Sequence, residues 1–242
     1  MKELNKIVSD IDKSWQGIVK EALLSLDKEY LNFLLKNRGY FPDIDNFLNA
    51  FKTLSLNNTR YILFGQDPYP RYESAIGYAF IDGKVKEIFS KNGLSREVNR
   101  ATSLRNFIKM LLVCGEYLRN DISQRAIAKL DKSNFINNIY ELKDNFEKNG
   151  ILLLNSALIF TAKSESKYHL KMWKSFIEVI LSAAKDREIK LILFGKAAND
   201  ILKLKGARKL KSYIFQHPYN LTFITDKEVH KVFYSMNLLL KH

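Results

Sequence analysis

Two hydropathy patterns alternate along the chain. Four short, largely apolar runs, Tyr61–Phe64, Ile151–Leu154, Ile189–Phe194 and Ser212–Phe215, have the length and composition of buried strands. They are near-continuous rather than alternating, which is how strands covered on both faces read. Between them, apolar positions recur at helical spacing. Residues 5 to 36 carry Ile7, Ile11, Trp15, Ile18, Leu23, Leu26, Leu31, Phe33 and Leu34, and a short helix is predicted over Asp45–Thr53. Ser103 is the predicted N-cap of a helix through Leu112, and amphipathic segments follow near Ser123–Leu130 and Asn134–Lys148, the latter stopped by Asn149-Gly150. Further helices are predicted over Lys171–Ala184, Lys196–Leu204 and Lys227–Leu240. Residues 84 to 101 lack a steady period and read as surface loop or short helix. Strands alternating with helices predict a three-layer α/β/α fold with a central four-stranded, mostly parallel sheet. No repeat, low-complexity tract or linker interrupts the chain. The expectation is one domain over 1–242, with a helical N-terminal part (1–55) and a core from 60 to 242.

The composition narrows the class. A chain of 242 residues can bury a full α/β core, and 46% hydrophobic with 12% aromatic content argues against disorder. No run of about 18 apolar residues occurs. The start, Met1-Lys2-Glu3-Leu4-Asn5-Lys6, has no signal-peptide core. The single cysteine, Cys114, excludes an internal disulfide and any multi-cysteine metal or iron–sulfur site, and reads as a core thiol. These features place the protein in the cytoplasm, or in the nucleus if the cell has one. A net charge of +13 suits a polyanionic partner, either nucleic acid or an anionic membrane surface. Lys196, Lys203, Lys205, Arg208, Lys209 and Lys211 cluster in sequence; they read either as a solvated helix and turn or as the electrostatic flank of a nucleic-acid groove.

The chemistry is concentrated where the strands end. The first run leads into Gly65-Gln66-Asp67-Pro68-Tyr69-Pro70, in which glycine breaks the strand and Pro68 confines Asp67 to extended conformations. The second ends in Asn155-Ser156, the third in Gly195-Lys196, the fourth in Gln216-His217. In a parallel sheet such ends share one edge, where open α/β folds bind their ligands. An acid, an amide and an imidazole would then converge. Each has a plainer reading: Asp67 as a turn residue, Asn155 as a strand-end cap, His217 as a structural histidine, Tyr69 and Phe80 as core aromatics.

In these residues the sequence resembles the family 1 uracil-DNA glycosylases. Gly65-Gln66-Asp67-Pro68-Tyr69 resembles that family's water-activating loop, and Phe80 falls at its uracil-stacking position. Gly150 to Asn155 resembles the strand whose asparagine reads the uracil edge. His217-Pro218 resembles the start of the catalytic histidine loop, and Leu221 falls at the intercalating leucine. Ser103-Leu104-Arg105-Asn106-Phe107 resembles a helix start of the family, and Phe233, Ser235, Asn237, Leu238 and Leu239 its C-terminal helix. The resemblance implies a base-flipping hydrolase of uracil in single- or double-stranded DNA. It works in base excision repair as a monomer, without metal or cofactor; proteinaceous inhibitors and replication partners are left open. It implies Asp67 and His217 as catalytic residues, and Gln66, Tyr69, Phe80 and Asn155 as uracil-binding. Ser103, Gly195, Lys196, Pro218, Tyr219 and Leu221 are implied to contact DNA.

The chain departs from the family pattern at several points. Pro70 stands where histidine is usual, and His217-Pro218-Tyr219-Asn220-Leu221 replaces His-Pro-Ser-Pro-Leu. The segment Glu97 to Thr102 has no proline where a proline-rich loop is expected, and Gly195-Lys196 replaces Gly-Ser. These changes touch DNA backbone contacts more than base recognition. Two other readings stay open at this point: a non-catalytic DNA-binding protein on the same fold, and an α/β enzyme acting on a small nucleotide or phosphate ester. No Walker-type or dinucleotide glycine motif supports the latter.

Overall fold

The structure is a computed structural model that describes residues 2–36 and 39–241. In chain order its helices are α1 (Lys2–Ser9), α2 (Lys13–Leu24), α3 (Lys28–Lys36), α4 (Arg96–Arg100), α5 (Thr102–Cys114), α6 (Gln124–Ala128), α7 (Ile139–Lys148), α8 (Ser166–Met172), α9 (Lys174–Lys185), α10 (Ala197–Leu202) and α11 (Lys227–Phe233). The strands are β1 (Tyr61–Gly65), the short pair β2 (Phe89–Ser90) and β3 (Gly93–Leu94), β4 (Ile151–Asn155), β5 (Lys190–Phe194) and β6 (Ser212–Phe215). The residues group into two compact units, one formed by the chain up to Ile81 with Gly150–Ile214, the other by Asp82–Asn149 with the chain from Phe215 on.

The first unit holds the four-stranded parallel sheet, in the order β4-β1-β5-β6. Its strands alternate in what they bury. Ile62, Phe64, Leu152, Leu154, Leu191 and Leu193 join one apolar cluster with α1, α2, α3 and α9, while Leu63, Leu153 and Ile192 on the opposite face are equally buried. A sheet dry on both faces is what the apolar runs predict for an α/β/α protein. The N-terminal stretch is three helices rather than one periodic segment, because aspartates intervene as caps. Asp12 accepts from the Ser14 N–H at 2.9 Å, and Asp27 from the N–H groups of Glu29 and Tyr30 at 3.0 Å. The helix expected over Asp45–Thr53 is a turn followed by the 3-10 segment Asn49–Phe51. Here Asn46 and Asn49 spend their amides on Asp43, on one another and on the Ile76 carbonyl, which competes with helix formation. The helix expected from Lys171 begins earlier, as α8, and meets α9 at the buried Trp173.

The second unit is helical around Phe107, which packs against Phe146, Phe223 and Phe233. Residues 84 to 101 contain the β2–β3 ribbon and α4, which Ser95 caps through the Val98 N–H at 3.2 Å. Ser103 is not an N-cap: α5 starts at Thr102 after Ala101, which also ends α4. The expected helices near 123 and 134 are α6 and α7, shortened to begin after the capping residues Ser123 and Asn138. The final helix stops at Phe233 rather than Leu240. Asn237 takes a left-handed φ of +47°, and the amides of Asn145 and Asn149 bind the carbonyls of Met236, Leu238 and Leu240, drawing that segment out of helical bonding. Cys114 is buried, and burial pushes its thiol up to about 11, as befits a core thiol. Among the described residues no helix is long and apolar enough to cross a membrane.

Candidate active site

The strand ends of the first unit bring together Gln66, Asp67, Tyr69, Phe80, Asn155, Gly195 and Lys196. β1 and β4 run in register to their last residues, pairing Gly65 with Asn155. The chain then crosses between the strands. Gly65 O accepts from the Ser156 N–H at 2.9 Å and from the Ser156 hydroxyl at 3.0 Å, and Gln66 O accepts from the Ala157 N–H at 3.0 Å. The loop carrying the acid is therefore fastened to the loop that follows the amide. Gly65 is required for space: a Cβ there would lie 2.2 Å from Oδ1 of Asn155. Asn155 is only 6% exposed, yet its side-chain amide has no hydrogen bond among the described residues. A buried amide with spare donor and acceptor capacity is a binding group for a partner that brings both.

Asp67 is half-buried, and its Oδ2 accepts from the Ser166 hydroxyl. That donor is a serine side chain at the start of α8. Pro68 is buried beneath the turn. The Tyr69 hydroxyl donates to the Phe80 carbonyl at 3.3 Å. Phe80 has φ of +68°, a left-handed conformation that is rare for a bulky residue and persists only where the surroundings enforce it. Its ring lies 6.4 Å from that of Phe194 at the end of β5. The stretch before it is tied to the sheet by the Ala79 N–H on the Leu153 carbonyl, 3.1 Å. Gly195 takes a positive φ of +58°, and the exposed Lys196 directly precedes α10. Of the basic cluster, Lys203 pairs with Asp200 at 3.3 Å and Arg208 donates to the Leu202 carbonyl, while Lys209 and Lys211 are exposed.

The second unit holds Ser103, His217, Pro218, Tyr219 and Leu221. Asn106, fully buried in α5, donates from its Nδ2 to the carbonyls of Pro218 at 2.8 Å and Tyr219 at 3.1 Å. The loop also turns on itself through the Asn220 N–H to His217 O, 2.9 Å. His217 Nδ1 accepts from the Tyr219 N–H at 3.1 Å. Although His217 is an exposed residue, desolvation by the protein around it lowers the imidazole pKa from its ordinary value. A neutral ring whose Nδ1 accepts must carry its proton on Nε2, leaving that N–H as a donor. Tyr219 is 66% exposed and Leu221 71% exposed, so Leu221 is not packed under its loop. Ser103 is half-buried in the first turn of α5.

Sequence reasoning placed Ser156 at a strand end without giving it a role, and it missed Ser166 and the tying role of Asn106. Ser166 lies in Lys163-Ser164-Glu165-Ser166-Lys167, a run that reads as any solvated turn. Asn106 stood inside a recognised segment, but only the fold shows what its amide binds.

No family model matches the chain. It is 52% identical to a uracil-DNA glycosylase (UNG) from Nitratifractor salsuginis of known crystal structure, with a TM-score of 0.96 over 100% of this chain and 97% of that one. The uracil-DNA glycosylase of Clostridioides difficile is 28% identical over 87% of this chain and 82% of its own length. The mimivirus uracil-DNA glycosylase shares the fold at 18% identity, with a TM-score of 0.56 over 88% of this chain and 71% of that one.

Proposed function

The chain belongs to the uracil-DNA glycosylase family and is a DNA N-glycosylase that removes uracil in base excision repair, and we propose that Asp67 and His217 divide the chemistry of that removal. Cleaving the N-glycosidic bond builds positive charge on the sugar and negative charge on the departing base. Asp67 stabilises the sugar cation and orients the attacking water. His217 donates its Nε2–H to a uracil oxygen, and a neutral donor fixed beforehand stabilises charge as it develops without reorganising. No metal or cofactor is needed for these steps.

Asn155 supplies the base reading. Its amide can accept from uracil N3–H and donate to O4, whereas cytosine presents the reverse pattern and would leave buried groups unpaired. Gln66 lies beside the base, Tyr69 fills the space of a thymine methyl, and Phe80 gives the stacking face. Ser103, Gly195, Lys196, Pro218 and Tyr219 contact the DNA backbone, and Leu221 enters the space left by the extruded nucleotide. The enzyme acts as a monomer inside the cell.

The observation that carries these assignments is the unpaired, buried amide of Asn155 in register with Gly65, on the loop-locked strand pair that leads to Asp67. Nothing observed favours a non-catalytic DNA-binding protein. Incubation with a uracil-containing oligonucleotide, beside free deoxyuridine, tests the reading. Uracil should be released from the oligonucleotide and not from the nucleoside. Release from neither would overturn it.

A further inference from the structure

The contact between Ser166 and Asp67 is supported from behind by a polar chain, buried at one end and exposed at the other, that the uracil chemistry does not itself use. His169, 2% exposed, follows Ser166 by one turn of α8. Its Nδ1 lies 2.7 Å from the Tyr30 hydroxyl of α3, and its Nε2 lies 2.8 Å from Oγ1 of Thr161. The Thr161 hydroxyl in turn donates to Oε2 of Glu165.

These contacts assign every proton. A carboxylate only accepts, so the Thr161 proton points to Glu165 and its oxygen must accept from His169 Nε2–H. Burial lowers the His169 pKa against the opposing pull of Glu165 and Asp67, so the ring is neutral and its Nδ1 is an acceptor. Burial also pushes the Tyr30 hydroxyl well above the ordinary phenol range, so it stays protonated and donates. The result is one directed chain, Tyr30 to His169 to Thr161 to Glu165, with each shared proton accounted for. Tyr30 and His169 are buried, Thr161 is half-buried and Glu165 is exposed, so the chain is anchored at its buried end, where a satisfied hydrogen bond holds a single arrangement. That anchor fixes the first turn of α8, and with it the Ser166 hydroxyl.

We infer that Ser166 is a positioning residue for the glycosylase reaction: held by the His169 cluster, its hydroxyl takes Oδ2 of Asp67 and leaves Oδ1 to meet the water and the sugar cation. This rests on the proposed role of Asp67. A carboxylate on a single-bonded side chain otherwise rotates, and the two oxygens exchange. A clamp on one oxygen defines where the other lies, and such misplacement at a reacting group can cost about 100-fold in rate. The clamp does not touch substrate, so it should act on turnover and not on binding.

The test is steady-state kinetics on a single-stranded uracil oligonucleotide for Ser166→Ala, Ser166→Thr, Asp67→Asn and the Asp67→Asn/Ser166→Ala double variant, each with a thermal melt. Ser166→Ala should lower kcat by about 10- to 100-fold with KM and melting temperature unchanged. Ser166→Thr, which keeps the hydroxyl, should recover most of that loss. Adding Ser166→Ala to Asp67→Asn should change kcat by less than about twofold, since the clamp would have no carboxylate left to orient. If Ser166→Ala turns over like the parent while Asp67→Asn is crippled, the clamp is wrong and the role of Asp67 stands. The clamp is equally wrong if the two losses multiply, or if the loss tracks a lowered melting temperature and threonine does not restore it. An Asp67→Asn enzyme as fast as the parent would remove the role of Asp67 and the clamp together.

Discussion

The strand-end group and the His217–Leu221 loop solve opposite positioning problems. At the strand ends the side chains themselves are held. Asp67 is gripped by Ser166, Tyr69 donates to the Phe80 carbonyl, and Asn155 is confined by burial against Gly65 with its amide left unbonded among the described residues. In the loop the backbone is held, by Asn106 on two carbonyls, while the tips of Tyr219 and Leu221 reach into solvent. A reacting carboxylate must meet one atom of its substrate, so its own torsions have to be removed. A wedge must meet a stack of bases whose sequence varies, so a firm base with a free tip serves better. His217 belongs to the loop in sequence but to the strand ends in character, because the Tyr219 N–H fixes its ring.

If this contrast holds, damage to held side chains costs chemistry on every substrate, whereas damage to free tips costs only base extrusion. The largest effect should come from Asp67→Asn, which keeps the shape and removes the charge proposed to balance the sugar cation. Cleavage of single- and double-stranded uracil DNA should fall together, on the order of 100- to 1000-fold, with DNA binding retained in a filter or anisotropy measurement. A loss confined to duplex would break the contrast at its strongest point.

His217 comes next. His217→Ala should cost on the order of 100-fold on both substrates, as for the loss of one preorganised donor. The parent enzyme adds a pH signature. The folded ring resists protonation more than the unfolded one, so the unfolded chain takes up its proton first as pH falls through about 6.5. This group's contribution to stability is therefore intact at neutral pH and declines on the acid side. Protonation also turns Nδ1 into a donor and breaks the bond from the Tyr219 N–H. The acid limb of the rate profile should lie below the ordinary imidazole value, and it should vanish in His217→Ala.

Leu221→Ala addresses the free tip. Extruding a base costs a few kcal/mol from duplex and little from a single strand. The variant should therefore lose about tenfold on duplex, almost nothing on single-stranded DNA, and no melting temperature, since the leucine is exposed. Equal losses on both substrates would place Leu221 among the held residues. The smallest effect is one of selectivity: Tyr69→Ala should open room for a methyl group and permit slow release of thymine. An active Tyr69→Ala enzyme that wholly rejects thymine would show that another residue guards the pocket.

How much of this was legible in sequence follows from how local each feature is. The four strands announced themselves because burial on both faces leaves near-unbroken apolar runs, and the Gly65–Tyr69 motif because its parts are consecutive. Helix ends were harder. Asp12 and Asp27 interrupt a pattern whose apolar spacing runs straight through them, and the stop at Phe233 depends on amides arriving from α7. The clamp on Asp67 was invisible because the serine that makes it is ordinary in its own neighbourhood. Its meaning lies wholly in the carboxylate that folding brings to it.

Under the proposed stacking role of Phe80, its left-handed backbone sets stability and repair against each other. Such a conformation costs a residue with a Cβ about 1–2 kcal/mol, a cost that glycine escapes. A population screened only for heat tolerance should drift toward glycine at position 80 wherever that relief exceeds the packing lost with the ring, which lies 6.4 Å from that of Phe194. One screened for survival of uracil-laden DNA should keep the ring and tolerate the strain. That residue is where selection history would be written: the amino acid found there reports whether the chain has been kept for its chemistry or merely for its fold.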